Sequence, residues 1–297
     1  MCYTILNDKL GVCVLHMKPS IWSDYYGRLS PEEGLLALRE AGFSCAELGI
    51  DHIRALRRRD ADPEKIGLQL SRFLETEGFG LPAGHLDLQW ELTDPLHLEE
   101  LKKEVALFQA IGIKNAIIHI NGGLHLPEEQ RQDLQADHLR RLLDLMTGTD
   151  MTLCIENLRP NPSVADADKI LLWIDRLGGQ NLGICLDTGH LNVASNSLKT
   201  TAQTPGQFIR KAGSRLKHLH INGNDGTDDY HLAPFCIKNS VNWAEVITSL
   251  REIGYNGLFN LEVPGEIKGD PPMYILKRKL LYLKELADYM LSDNFPE

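Results

Sequence analysis

One rhythm constrains this chain more than anything else in it. A short apolar run is followed by a helical pattern, and the alternation recurs eight times across 297 residues. The apolar runs fall at 11–17, 45–50, 81–88, 115–120, 151–156, 181–187, 216–221 and 257–263. The intervening segments carry helix starts. Ser30-Pro31-Glu32-Glu33 offers a cap, a proline at the first turn and carboxylates beside the exposed amides. Asp62-Pro63-Glu64 and Asp94-Pro95 repeat the device, and Gly78 reads as a helix stop. Strands that are short and apolar throughout are those that helices cover. The alternation therefore predicts an α/β chain folded as one (β/α)₈ TIM barrel domain over 1–297 rather than a doubly wound sheet. No stretch rich in Pro, Gly or Ser divides it.

The strand ends carry the chemistry. Barrel strands point alternate side chains inward. Ala83 and His85 share a face, as do Ile117 and His119, Cys154 and Glu156, Cys185 and Asp187, His218 and His220, and Asn260 and Glu262. The last inward residue is thus repeatedly His, Asp or Glu, at the C-terminal mouth where such barrels place their active sites. Asp229 and His231 follow in the loop after the seventh strand, and His190 lies just past the sixth. Carboxylates and imidazoles are expensive to bury unless something pairs them. Glu156, Asp187, His220 and Glu262 form the smallest set expected to hold a divalent ion, Mn²⁺, Zn²⁺, Co²⁺ or Mg²⁺. The competing reading is four separate surface ion pairs. It leaves unexplained why the four groups end four different apolar strands.

These residues resemble the xylose isomerase-like TIM barrel superfamily, in its sugar-phosphate isomerase and epimerase branch, which is related to endonuclease IV-type nucleases. The likeness rests on GHLDL at Gly84, IIHING at Ile117, CIENL at Cys154, CLDTGH at Cys185, KHLHINGNDG at Lys217, DDYH at Asp228 and LEV at Leu261. The epimerase branch implies that Glu156 and Glu262 bind the metal and flank the substrate. It also implies that Asp187 and His220 are ligands and that His190 touches the substrate. The nuclease branch implies a larger zinc-binding set, adding His85, His119, His190, Asp229 and His231. The chain departs from the family where a Pro-Gly-x-Gly turn is common: it reads LAPFCIKNSVNW, with Phe235 and Cys236 in place of glycines. Gly223 stands where an aspartate is frequent.

The leading expectation is proton transfer on a small sugar or related hydroxy-carbonyl compound through an enediolate, with Glu156 and Glu262 as the acid/base pair. A multinuclear zinc phosphoester hydrolase is one alternative, and a noncatalytic sugar- or metal-binding barrel another. With 31 Lys and Arg against 41 Asp and Glu, the net charge of -10 makes nucleic acid an unlikely partner. The six cysteines lack CxxC spacing and read as reduced core thiols. The first ten residues, MCYTILNDKL, do not read as a signal peptide, and no apolar run is long enough to span a membrane. The expectation is a cytoplasmic enzyme, as a monomer or a homo-oligomer.

Other residues read two ways. Glu47 suits either a sugar hydroxyl or an ion pair at the barrel's edge. Trp22, Tyr25 and Tyr26 suit either the pocket wall or loop packing, and His16 either pocket or core. His218, two residues before His220, is expected to support it rather than bind metal. IRALRRR at Ile53 reads as a solvated helix face rather than a phosphate clamp. His97, His125 and His138 read as surface residues, and 192–205 as an exposed loop.

Overall fold

The computed structural model describes residues 17–59, 61–159, 161–238 and 240–296. Its strands are β1 (Lys18–Ile21), β2 (Cys45–Leu48), β3 (Gly80–His85), β4 (Asn115–Ile118), β5 (Thr152–Glu156), β6 (Leu182–Asp187), β7 (Leu216–Ile221) and β8 (Leu258–Leu261). All neighbours pair in parallel, in the order β1-β8-β7-β6-β5-β4-β3-β2. The ends of that order, β1 and β2, meet through an isolated parallel bridge between Trp22 and Glu47. The expected (β/α)₈ barrel is therefore the observed one. The first strand is formed by Lys18–Ile21 rather than by the run expected at 11–17, which, like His16, lies outside the described residues except for Met17.

The helices are α1 (Pro31–Glu40), α2 (Ile50–Arg57), α3 (Pro63–Glu77), α4 (Pro95–Ile111), α5 (Glu128–Leu145), α6 (Ala167–Leu177), α7 (Thr188–Asn196), α8 (Pro205–Ala212), α9 (Trp243–Glu252) and α10 (Met273–Leu291). Their starts follow the sequence signals. Ser30 and Glu33 form a reciprocal capping box on α1, and Asp62 and Asp94 cap α3 and α4 ahead of Pro63 and Pro95. Gly78 closes α3 at φ 64°, a left-handed conformation that a side chain disfavours. Within 192–205, the expected exposed loop, 192–194 are buried in a helix, whereas 197–204 run between helices and are exposed or half-buried as expected. Asp187 caps the amide of His190 and starts α7, which buries Leu191, Val193 and Ala194.

The barrel interior is layered. Cys45, Ala83, Ile117, Cys154, Cys185 and Leu258 form a buried apolar floor. Two residues further along each strand the side chains return to the interior as Glu47, His85, His119, Glu156, Asp187 and Asn260. In β7 both inward positions are histidines, His218 and His220. The apolar floor thus carries a polar layer one step closer to the mouth.

Candidate metal centre

Glu156, at the end of β5, is the hub. Its Oε2 lies 3.2 Å from His85 Nε2, 3.0 Å from His119 Nε2 and 3.3 Å from His220 Nδ1, and its Oε1 lies 3.1 Å from His190 Nδ1. Glu262, just beyond β8, comes within 3.2 Å of the same His220 Nδ1 through Oε2. Asp187, His220 and Glu262 each place a ligand atom within 4.8 Å of one another. Of the four residues expected to form the smallest metal set, Glu156 and Glu262 both approach His220 Nδ1, and Asp187 joins His220 and Glu262 in one compact group.

The other expected donors gather beside them. Asp229 bridges His190 Nε2 at 3.2 Å and His231 Nε2 at 3.0 Å, and His231 Nδ1 lies 3.6 Å from Glu262 Oε2. Asp187, His190 and His231 make a second compact group of donors, and His85, Glu156 and His220 a third. Trp22, Ile50 and Leu88 join His85, His119, Glu156, His190, His231 and Glu262 around a cavity of about 90 Å³. His231 sits at φ 47°, a left-handed conformation rare for a residue with a side chain and frequent at functional sites.

The donor chemistry fits a divalent ion. His220 Nδ1, Asp229 Oδ1 and Glu262 Oε2 are buried and close to one another or to His231, but none makes a well-aligned hydrogen bond. Ligands at about 2.1 Å from one tetrahedral ion stand roughly 3.4 Å apart, close to the separations between these groups. Glu156, Asp187, Asp229 and Glu262 are four carboxylates faced mainly by imidazoles. Burial opposes the Glu156 anion, but His220 and His119 outweigh it and hold its carboxyl well below the usual range. Burial pushes Glu262 up to about 7 against the pull of His220 and His231. Burial also disfavours the His231 cation, yet Glu262 and Asp229 raise it to about 9.

Several expectations change place. Glu47 does not reach the cavity where a sugar hydroxyl would lie: it is 0% exposed, and Oε2 accepts from His220 Nε2 at 3.0 Å and Asn260 Nδ2 at 2.8 Å. His218, also buried, bonds to that same oxygen. Trp22 lines the cavity, whereas Tyr25 and Tyr26 are buried in the core. His138 is buried on the inner face of α5 rather than exposed. Phe235 adopts φ 67°, so the glycine-poor loop makes its left-handed turn without glycine. In α2, Arg54 pairs with Asp87, Arg57 with Glu100 and Glu104, and Arg59, just beyond the helix, with Glu32.

Two asparagines escaped the sequence reading. Asn157 Oδ1 accepts from the Asp187 amide at 2.7 Å, and Asn222 Nδ2 donates to Asp187 Oδ2 at 2.8 Å. Their signal is position: Asn157 directly follows Glu156, and Asn222 lies two residues past His220.

A model of the xylose isomerase-like TIM barrel family matches residues 35–286. The chain belongs to this family. It is 27% identical over 273 residues to a D-psicose 3-epimerase of Enterocloster bolteae, covering 87% of this chain and 83% of that one. Matches to other curated relatives span about 30 to 52% of those proteins' own lengths. Among them is a probable endonuclease 4 of Mycoplasma pneumoniae, 28% identical over 131 residues, 42% of this chain and 44% of that one. The fold superposes on D-psicose 3-epimerase from Clostridium cellulolyticum H10 with a TM-score of 0.74 at 18% identity, covering 93% of this chain and all of that one. Family and donor set together make this a metal-dependent enzyme. No described helix is long and apolar enough to cross a membrane.

Proposed function

We propose that this protein is a divalent-metal-dependent isomerase or epimerase of a small sugar. The observation that carries the reading is the pair of glutamates, Glu156 and Glu262, approaching His220 Nδ1 at 3.3 and 3.2 Å from different strands. Glu156, Asp187, His220 and Glu262 would hold the ion. A bound divalent ion supplies Lewis acidity toward a carbonyl oxygen and its neighbouring hydroxyl, which favours enediolate formation. One glutamate removes the proton beside the carbonyl. Return from the opposite glutamate inverts the carbon, and return to the adjacent carbon exchanges aldose and ketose. Without the ion the two environments already differ: Glu156 is held as the anion, while burial pushes Glu262 up to about 7. His190, on the cavity wall, orients the substrate, and Trp22 offers an apolar face to the sugar.

The test is deuterium uptake from solvent. With Mn²⁺ or Co²⁺ supplied, a panel of ketoses should gain deuterium at the carbon beside the carbonyl. Glu156→Gln and Glu262→Gln should each abolish the uptake. Full uptake in either variant removes that residue from the pair.

The wider donor set keeps a second reading in play. His85, His119, His190, Asp229 and His231 all approach the centre, as a multinuclear phosphoester hydrolase requires. Metal counting separates the two. Two or three zinc ions with phosphoester cleavage and no exchange would favour hydrolysis.

A further inference from the structure

We infer that Glu47 is a positioning residue for His220, fixing which ring nitrogen faces the metal centre. The inference rests on the metal reading proposed above and goes beyond it to a residue that touches neither the cavity nor any of the four proposed ligands except His220.

The argument begins with one imidazole and its two faces. His220 Nδ1 looks toward the mouth, 3.3 Å from Glu156 and 3.2 Å from Glu262. His220 Nε2 looks the other way, 3.0 Å from Glu47 Oε2. An ionised carboxylate only accepts hydrogen bonds, so the contact requires the proton on Nε2. The lone pair of the neutral ring is then on Nδ1, aimed at the centre. The opposite tautomer would set a lone pair against a buried anion and point a proton at the ligand position.

Glu47 is itself held rigidly. Asn260 Nδ2 donates to the same oxygen at 2.8 Å, and Ser20 Oγ donates to Asn260 Oδ1 at 3.0 Å. His218 Nε2 donates to that oxygen as well. The bonds run across β2, β7, β8 and β1, so the carboxylate is fixed by four strands. All five residues have no exposed surface. In such a site an oriented partner raises ligand basicity and fixes the ring.

Glu47, His218 and His220 also lie close enough to be considered as a metal group in their own right. Their spacing argues against it. Oε2 lies 2.5 Å from His218 Nε2, a hydrogen-bond contact far nearer than the roughly 3.4 Å between ligands of one tetrahedral ion. The Glu47 group is therefore a support, not a second centre.

The experiment combines metal affinity with the ring's nitrogen signals. Wild type and Glu47→Gln are titrated with Co²⁺ against a chelating dye, and ¹⁵N-labelled protein without metal reports the His220 tautomer. Wild type should show His220 protonated on Nε2. Glu47→Gln should bind Co²⁺ about 10–100-fold more weakly, with an unchanged melting temperature and a loss of the single tautomer. Glu47→Asp, which keeps the charge, should recover part of the affinity. Equal affinity in Glu47→Gln and wild type, with unchanged ring signals, overturns the inference. So does a wild-type ring that, once titrated to its neutral form, carries its single proton on Nδ1 rather than Nε2, a result that needs no variant to fold. If wild type itself binds no Co²⁺, the metal reading fails first, and the inference falls with it.

Discussion

Two regions bury comparable numbers of acidic groups and treat them oppositely. Between α2 and α4, Arg54 grips Asp87 through two hydrogen bonds of 2.8 and 2.7 Å. Arg57 donates to Glu104 at 3.0 Å and to Glu100 at 2.6 Å, and stacks over Trp90 at 4.6 Å. Glu104 also accepts from Trp90 Nε1 and the Asp87 amide. Each carboxylate there has a permanent cation beside it. At the barrel mouth Glu156, Asp187 and Glu262 face histidines, and atoms of His220, Asp229 and Glu262 are left without a well-aligned hydrogen bond. Buried charge by itself is therefore no sign of function. What separates a site from a brace is whether the protein supplies the countercharge itself or leaves it to an outside ion.

The largest effect should come from the mouth. Glu156→Gln should reduce solvent exchange into substrate by roughly a thousandfold while leaving the melting temperature near that of wild type. A variant that melts early instead would place Glu156 with the braces. The converse change, Arg57→Met, should lower stability by about 3 kcal/mol, measured by urea unfolding. Its exchange activity at saturating substrate should persist. Loss of exchange with full stability would erase the distinction between the regions.

An outside ion should act on one region only. At a hundredfold excess over Kd, Mn²⁺ should stabilise the wild-type chain by about 2.7 kcal/mol. The gain should survive in Arg57→Met and shrink in Glu262→Gln, as read by thermal unfolding with and without chelator. The remaining effect is on pH dependence. His231 is raised to about 9 in the fold, chiefly by Glu262 once burial is overcome. A raised imidazole contributes stability that is complete below its unfolded value near 6.5 and is lost as pH rises through about 9. Without metal, stability should therefore decline across that interval, and His231→Asn should flatten the decline. An unchanged slope in the variant would show that His231 does not gain its proton from this cluster.

Much of this was legible beforehand, for a physical reason. Inward residues recur every second position, so one reading of period two places His85, Glu156, Asp187 and His220 in the same ring of side chains. Depth was not legible. Glu47 occupies the inward position of its own strand, but its height depends on how β2 is staggered against its neighbours, which local pattern does not encode. The sequence therefore left it equally suited to substrate or to an ion pair, and the fold set it beneath His220. Helix α7 was hidden because CLDTGH was read only for its donors, whereas Asp187 also caps the helix that follows. His138 was misplaced because a titratable ring on a helix gives no sign of which way α5 is turned.

The joint between β1 and β2 has one more consequence. Everywhere else in the described ring a ladder of backbone bonds locks neighbour to neighbour; here a lone bridge joins Trp22 to Glu47. One of these two residues borders the cavity, and the other accepts a hydrogen bond from Nε2 of His220, the proposed ligand. A guest that nudges the indole therefore pushes on the least reinforced stave of the cask, a single backbone link away from the carboxylate that aims His220.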